Sequence, residues 1–219
     1  PLYTGAGDKG GDGICCQPLL LGDFLPKRTK SVSLKKAPDP KPCRWRLPGD
    51  IKFTPPQEVA VQHLLKFGRE GKPGGTCLVW AACGAGKTEV SFPLIAETLN
   101  QGKKVLFASP RRDVVLEIAP RLAAAFGRER TAAIYGGSGI PKREVPLLAA
   151  TTHQVLRFYH NFDLVVLDEG DAYPFPESRM LHYGVEKARC PDGKLVYLTA
   201  TPTSWMLSKV RKSRVDVIK

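Results

Sequence analysis

Long apolar runs are missing from this chain of 219 residues, although 42% of its residues are hydrophobic. No stretch approaches the roughly eighteen unbroken apolar residues that a membrane-spanning helix needs, so we predict no transmembrane segment. The start of the sequence is rich in glycine and lacks the basic-then-apolar order of a secretory signal. The apolar fraction is still large enough for a packed core, which excludes a wholly disordered chain.

Acidic side chains are the scarcer charge. The chain has 21 Asp and Glu against 33 Lys and Arg, a net charge of +12 at pH 7. This excess favours a polyanionic partner, with nucleic acid ahead of a membrane surface. From charge alone, a solvated basic surface without a ligand stays open as the alternative.

Residues 1–50 are predicted to form an irregular basic arm, because glycine and proline recur there and disfavour regular structure. Between Lys27 and Arg46 eight basic residues accompany one acidic residue. The arm holds Cys15, Cys16 and Cys43. A closed zinc site takes four ligands, often from CxxC pairs, and adjacent cysteines chelate poorly. We therefore expect free thiols and leave a degenerate zinc module open as the alternative.

From residue 51 to residue 219 short apolar runs alternate with helical patterns. The runs are 76–80, 104–108, 132–135, 147–150, 164–167 and 195–198, and the helical patterns lie near 57–67, 88–101, 113–126, 153–159 and 177–188. Continuous apolar runs of this length are typical of strands buried on both faces of a parallel sheet. The alternation predicts a doubly wound α/β domain with a mainly parallel sheet and helices on both faces. Ligands of such sheets bind beyond the carboxyl ends of the strands.

The strongest motif occupies residues 81–88 and reads Ala-Ala-Cys-Gly-Ala-Gly-Lys-Thr, between a predicted strand and a predicted helix. This is the setting of a phosphate-binding loop. Gly84 and Gly86 let successive N–H groups point at phosphate oxygens, while Lys87 can reach the β- and γ-phosphates. The Thr88 hydroxyl can ligate Mg²⁺. We predict that ATP and Mg²⁺ bind here, on Gly84, Ala85, Gly86, Lys87 and Thr88.

Carboxylates follow the apolar run 164–167 at Asp168, Glu169 and Asp171. Three acidic groups at the end of a buried strand are costly unless a cation needs them. Asp168 is placed to hold Mg²⁺, and Glu169 is placed to polarise an attacking water. The alternative is an acidic turn that caps a helix, which the phosphate loop on another strand of the same sheet disfavours.

Thr199 and Thr201 follow the last apolar run. Their hydroxyls can bond both to the Asp168 loop and to a neighbouring domain, and so couple nucleotide state to motion. In this order, A-x-x-G-x-G-K-T, D-E-x-D and T-A-T resemble the first RecA-like domain of a superfamily 2 helicase. The resemblance implies an ATP hydrolase in which Lys87 and Glu169 are the catalytic residues.

The same resemblance extends to three further segments. Gln57 looks like the upstream glutamine that reads the adenine edge, although a surface glutamine opening a helix is the alternative. Pro110, Arg111 and Arg112 look like one nucleic-acid backbone loop of the family, and Thr151 and Thr152 look like the second. The implied partner is single-stranded or double-stranded DNA, held through its backbone without sequence preference.

Residues 108–114, 150–159 and 168–175 resemble more narrowly the ComFA family of competence helicases, ATP-driven DNA translocases of bacterial DNA uptake. Gly170 and Tyr173 depart from that family's D-E-V-D-A-F-P. The resemblance covers roughly residues 53–205. It implies DNA-uptake machinery as a further partner and a location in the cytoplasm or at the inner face of the membrane. A replication-restart or RNA helicase motor, and a non-catalytic nucleotide- and DNA-binding module, stay open as alternatives.

Motors of this superfamily carry a second RecA-like domain with arginine fingers, which stabilise the charge on the γ-phosphate in the transition state. The residues after Thr201 do not supply such a domain. We therefore expect the second domain to be a partner outside this chain, and we expect hydrolysis by the present domain alone to be weak.

Overall fold

The computed structural model describes residues 51–139, 141, 144–212 and 214–219. The predicted basic arm and its three cysteines lie outside the described residues, so the zinc alternative stays open. Within the described part of the chain, no helix is both long enough and apolar enough to cross a membrane.

Parallel strands form one sheet with the order β3-β4-β2-β5-β6-β1-β7. The strands are β1 (Thr76–Trp80), β2 (Val105–Ser109), β3 (Thr131–Ile134), β4 (Leu147–Thr151), β5 (Phe162–Asp168), β6 (Arg189–Thr199) and β7 (Asp216–Ile218). All six predicted runs are strands, and the predicted α/β fold with a parallel sheet is confirmed.

The helices cover both faces of the sheet. They are α1 (Pro55–Glu70), α2 (Lys87–Asn100), α3 (Arg112–Phe126), α4 (Thr152–Val155), α5 (Arg179–Ala188) and α6 (Ser204–Arg211). Alternation along β2 shows the two cores: Phe107 packs with apolar residues of α1, α2 and α3, whereas Leu106 packs with those of α4, α5 and α6. A strand buried on both faces needs apolar side chains at successive positions, which is why these strands read as unbroken runs.

One strand and one α-helix were not predicted, and one α-helix is shorter than predicted. β7 has three residues, and its single buried side chain, Ile218, gives no run to detect. Helix α6 begins where the Thr203 hydroxyl accepts a hydrogen bond from the N–H of Met206, a capping signal that the sequence does contain. Helix α4 ends at Val155, after which the N–H groups of Arg157 and Phe158 bond to carbonyls three residues back and make a turn of residues 154–158.

The topology gathers the predicted motifs at one edge. Because every strand is parallel, the carboxyl ends of β1, β2, β4, β5 and β6 lie at the same edge of the sheet. Strand β6 lies between β1, which leads into the phosphate loop, and β5, which ends at Asp168. Thr199, at the end of β6, therefore lies between the loop and the carboxylates.

Candidate nucleotide site

A cavity of about 450 Å³ opens at the carboxyl edge of the sheet. Three neighbouring segments form it: the phosphate loop after β1, residues 168–172 after β5, and residues 198–201 at the end of β6. Arg111, which directly precedes α3, and Arg121 of α3 complete the wall. The cavity thus combines hydroxyls, carboxylates and cations within reach of one ligand.

The phosphate loop depends on two left-handed glycines. Gly84 has φ +74° and Gly86 has φ +71°, a backbone conformation that side chains with a Cβ rarely adopt. Helix α2 begins directly after Gly86, at Lys87. The Lys87 ammonium curls back and donates hydrogen bonds to the carbonyls of Ala81, at 3.0 Å, and Ala82, at 2.8 Å. The positive end of α2 and the Lys87 charge therefore lie at the same loop.

Gln57 joins the first turn of α1 to this loop. Its carbonyl oxygen accepts a hydrogen bond from the N–H of Thr54 at 2.9 Å, and its amide donates to the carbonyl of Ala85, also at 2.9 Å. A Cβ added at Gly86 would lie 2.5 Å from the Gln57 amide nitrogen. Gln57 is thus in direct contact with the phosphate loop, and its predicted role in reading the adenine edge stays a prediction.

The side chains of Thr88 and Asp168 contact each other at the carboxyl edge of the sheet. The Thr88 hydroxyl donates to Oδ2 of Asp168 at 3.1 Å, and Asp168 is only 8% exposed. Burial raises the pKa of Asp168, and the hydrogen bonds from Thr88 and from the Glu169 N–H oppose this rise. A hydroxyl and a carboxylate placed together are the oxygen ligands that Mg²⁺ accepts.

Glu169 stands beside this pair in a left-handed conformation, φ +52°. Its N–H donates to the carbonyl of Leu198 at 3.1 Å, which fixes its backbone against β6. Its Oε2 is buried and lies 3.4 Å from Nη1 of Arg111, without hydrogen-bond geometry to any described residue. The contact with Arg111 is therefore an ion pair rather than a hydrogen bond.

Asp171 links the loops that follow β5 and β6. One of its oxygens accepts a 2.5 Å hydrogen bond from the Thr199 hydroxyl, and the other accepts one from the Thr201 hydroxyl. Both threonines predicted for coupling are therefore bonded to the carboxylate loop, and coupling stays a prediction. No role of its own was predicted for Asp171, although the third carboxylate of D-E-x-D was the available signal.

The sequence matches the ResIII family, described as the type III restriction enzyme res subunit, over residues 50–204. The chain belongs to this family. The chain is 46% identical over 211 residues to the competence protein ComFA of Bacillus subtilis, covering 96% of this chain and 45% of that protein. It is 40% identical over 168 residues to ComFA of Streptococcus pneumoniae, covering 77% of this chain and 37% of that protein. The chain therefore spans less than half the length of these relatives.

A solved structure shares the fold of the ResIII domain. The UvsW helicase from bacteriophage T4 superposes with a TM-score of 0.59 and 15% identity, covering 79% of this chain and 62% of that chain. At this identity the likeness concerns the fold alone. The family match and the similarity to ComFA identify the first RecA-like domain of a superfamily 2 helicase-type ATPase, as the resemblance implied, and the shared fold agrees with this.

One ion pair in the wall of the nucleotide cavity was not predicted from the sequence. Arg121 of α3 forms an ion pair with Glu89 in the first turn of α2, and both side chains line the cavity. The sequence carries no motif for this pair, because Arg121 occupies an ordinary position of an amphipathic helix. Only the packing of α3 beside α2 brings it to the phosphate loop.

The predicted nucleic-acid residues of the ResIII domain differ in exposure. Arg111 and Arg112 are exposed, and the Arg112 guanidinium lies 5.2 Å from the centre of the Tyr135 ring. Pro110 is buried, and so are Thr151 and Thr152, which are 6% and 0% exposed. In this conformation the arginines are open to a phosphate backbone, whereas the two threonines are not.

Proposed function

We propose that this chain is the ATP-binding motor domain of a superfamily 2 DNA helicase or translocase that drives uptake of single-stranded DNA during competence. The observation that carries the proposal is the Thr88–Asp168 hydrogen bond beneath the phosphate loop. This hydrogen bond places the Thr88 hydroxyl and the Asp168 carboxylate together beside the phosphate loop, as a binding site for ATP and Mg²⁺ requires. The 46% identity to ComFA of Bacillus subtilis supports the role in competence.

In this proposal each group has a distinct task. Lys87 and the N–H groups of the loop bind the β- and γ-phosphates of ATP, and the Gln57 amide reads the base. Thr88 and Asp168 would hold Mg²⁺, which neutralises charge on the phosphate oxygens. Glu169 orients the attacking water. Both carboxylate oxygens of Asp171 accept hydrogen bonds from threonines, which favours a role in coupling the two loops over a role in ATP hydrolysis.

DNA would cross the carboxyl edge of the sheet near Arg111 and Arg112. Both are exposed, and both follow β2, next to the strand that ends at Asp168. Arginine binds phosphate through its planar fork, and such contacts do not depend on base sequence. His153 is the exposed residue beside the buried Thr151 and Thr152, so a contact at that turn would fall on it in this conformation.

The decisive experiment is titration of a fluorescent ATP analogue against the Lys87→Ala protein. Losing a charge-assisted contact to phosphate costs about 1.5–3 kcal/mol, which weakens affinity by about 10- to 150-fold. Lys103→Ala is the matched control, because Lys103 is exposed and precedes β2, at the opposite edge of the sheet. Unchanged affinity of Lys87→Ala, with far-ultraviolet circular dichroism showing an intact fold, would remove the proposed nucleotide site.

A further inference from the structure

Arg111 faces two carboxylates that come from different parts of the fold. It lies at the amino end of α3, where the Asp113 side chain two residues later accepts hydrogen bonds from Nε at 3.2 Å and from Nη2 at 2.5 Å. Its remaining nitrogen, Nη1, lies 3.4 Å from Oε2 of Glu169. Each nitrogen of the guanidinium thus faces a carboxylate oxygen.

The two contacts differ in strength. Asp113 binds the guanidinium through two oxygens, a geometry that gives the stronger hydrogen bonds. The Glu169 contact is longer and lacks hydrogen-bond geometry. Both carboxylates raise the pKa of Arg111, with the hydrogen bond that Arg111 donates to Asp113 as the largest cause. A phosphate that competes for this arginine therefore displaces Glu169 before Asp113.

The side chain of Glu169 can move while its backbone stays in place. Its backbone is anchored by the N–H bond to Leu198 and by the hydrogen bond between its N–H and Asp168. Its side chain is 39% exposed, and its Oε2 has no hydrogen bond to a described residue. Once released from Arg111, the Glu169 carboxylate could therefore rotate without moving Asp168, the proposed Mg²⁺ ligand beside it.

We propose that Arg111 is a positioning residue that holds Glu169 until a DNA phosphate takes its place. This inference rests on the proposed function, which assigns Glu169 to the attacking water and Arg111 to the DNA backbone. Without DNA, the ion pair keeps the carboxylate turned toward α3. When DNA binds, the Arg111 fork turns to a phosphate oxygen and Glu169 becomes available to orient water.

The competition predicts a specific pattern in DNA binding, measured without nucleotide by fluorescence anisotropy of a labelled oligodeoxythymidine. Glu169→Gln removes the competing charge and should tighten binding by about two- to fivefold, the range of an exposed ion pair. Arg111→Ala should weaken binding. In the double variant Glu169→Gln should have no further effect, because the residue that Glu169 holds is gone.

Glu89→Gln is the matched control, because Glu89 lines the same cavity but pairs with Arg121. Its effect on affinity should be small and equal with and without Arg111. If Glu169→Gln tightens binding equally in both backgrounds, Glu169 acts only as a general negative charge and the inference fails while the proposed function stands. If the wild-type protein binds no DNA, the proposed function fails and takes the inference with it.

Discussion

Single residues decide whether the phosphate loop can form. Gly84 and Gly86 have nearly the same left-handed backbone, with φ +74° and +71°, but their surroundings differ. A Cβ at Gly84 would meet nothing within 4 Å, whereas a Cβ at Gly86 would meet the Gln57 amide. A substitution at Gly84 therefore tests backbone strain alone, whereas one at Gly86 tests backbone strain together with a clash against the Gln57 amide.

We predict that Gly86→Ala destabilises the domain more than Gly84→Ala. Both variants carry left-handed strain of about 1–2 kcal/mol. Gly86→Ala also pushes the Gln57 amide away from the Ala85 carbonyl, and losing that hydrogen bond costs about a further 0.5–1.5 kcal/mol. Urea unfolding of both variants and the wild type measures the difference. Equal free energies of unfolding would show that Gln57 contributes nothing through this contact.

At the scale of elements, the loops that follow β5 and β6 are joined through one side chain. Asp171 accepts the hydroxyls of Thr199 and Thr201, and the Thr199 hydroxyl in turn accepts the N–H of Thr201. Such a network ties the loop that holds Asp168 to the strand lying between β5 and β1. This network is the contact through which we propose that the two loops are coupled.

We predict that Asp171→Ala lowers the free energy of unfolding by about 1.5–3 kcal/mol, the range for hydrogen bonds to a charged group. Thermal denaturation of the variant measures the loss. Glu177→Ala provides the control, since Glu177 is an exposed carboxylate after the same loop and only one negative charge is removed in each case. A similar small loss in both variants would mean that the threonine bonds are not stabilising.

Elements with unbroken apolar runs were predictable, and contacts between elements were not. β2 and β5 were visible because burial on both faces demands apolar residues at every position, while β7 buries one side chain. Thr88 and Asp168 were predicted because phosphate and Mg²⁺ binding require hydroxyl and carboxylate groups near the carboxyl ends of buried strands, whereas Gln57 was predicted only from the resemblance to helicases. The Arg121–Glu89 pair and the burial of Thr152 depend on how helices pack, which no local pattern encodes.

At the scale of the whole molecule, the basic charge determines how the chain should meet a polyanion. The net charge is +12, and Arg111 and Arg112 lie exposed at the carboxyl edge. We predict weak binding to single strands, micromolar or weaker, with no preference for base order. If the site covers about four phosphates, the logarithm of affinity should fall with the logarithm of salt at a slope of roughly −3.

Anisotropy titrations of labelled single strands between about 50 and 200 mM salt measure this slope, the range over which phosphate contacts lose affinity steeply. Two strands of equal length and different sequence serve as the control for base preference. A flat salt response would show that the basic residues do not contact the backbone. A slope that stays unchanged in Arg111→Ala would move the DNA contact elsewhere on the domain.

Turnover by this 219-residue chain depends on whether an arginine can reach the γ-phosphate. The groups that we propose to bind and orient ATP are present, but the two arginines lining the described cavity, Arg111 and Arg121, are each paired with carboxylates. Neither can stabilise the γ-phosphate charge without giving up its partners. Arginine fingers contribute on the order of 10³–10⁵ in rate, which is about 4–7 kcal/mol of barrier.

We therefore expect the purified chain to bind ATP but to hydrolyse it very slowly. Single-stranded DNA should stimulate hydrolysis little, because the release of Glu169 brings no arginine to the γ-phosphate. Phosphate release with and without DNA measures this, and Glu169→Gln sets the background. Because the chain spans 45% of ComFA from Bacillus subtilis, the same assay on a protein of that full length tests whether the remaining part restores turnover. Rapid DNA-stimulated hydrolysis by the chain alone would contradict the prediction. If that rate rose with protein concentration, Arg211 or Arg214 of a second copy would be the residue reaching the γ-phosphate.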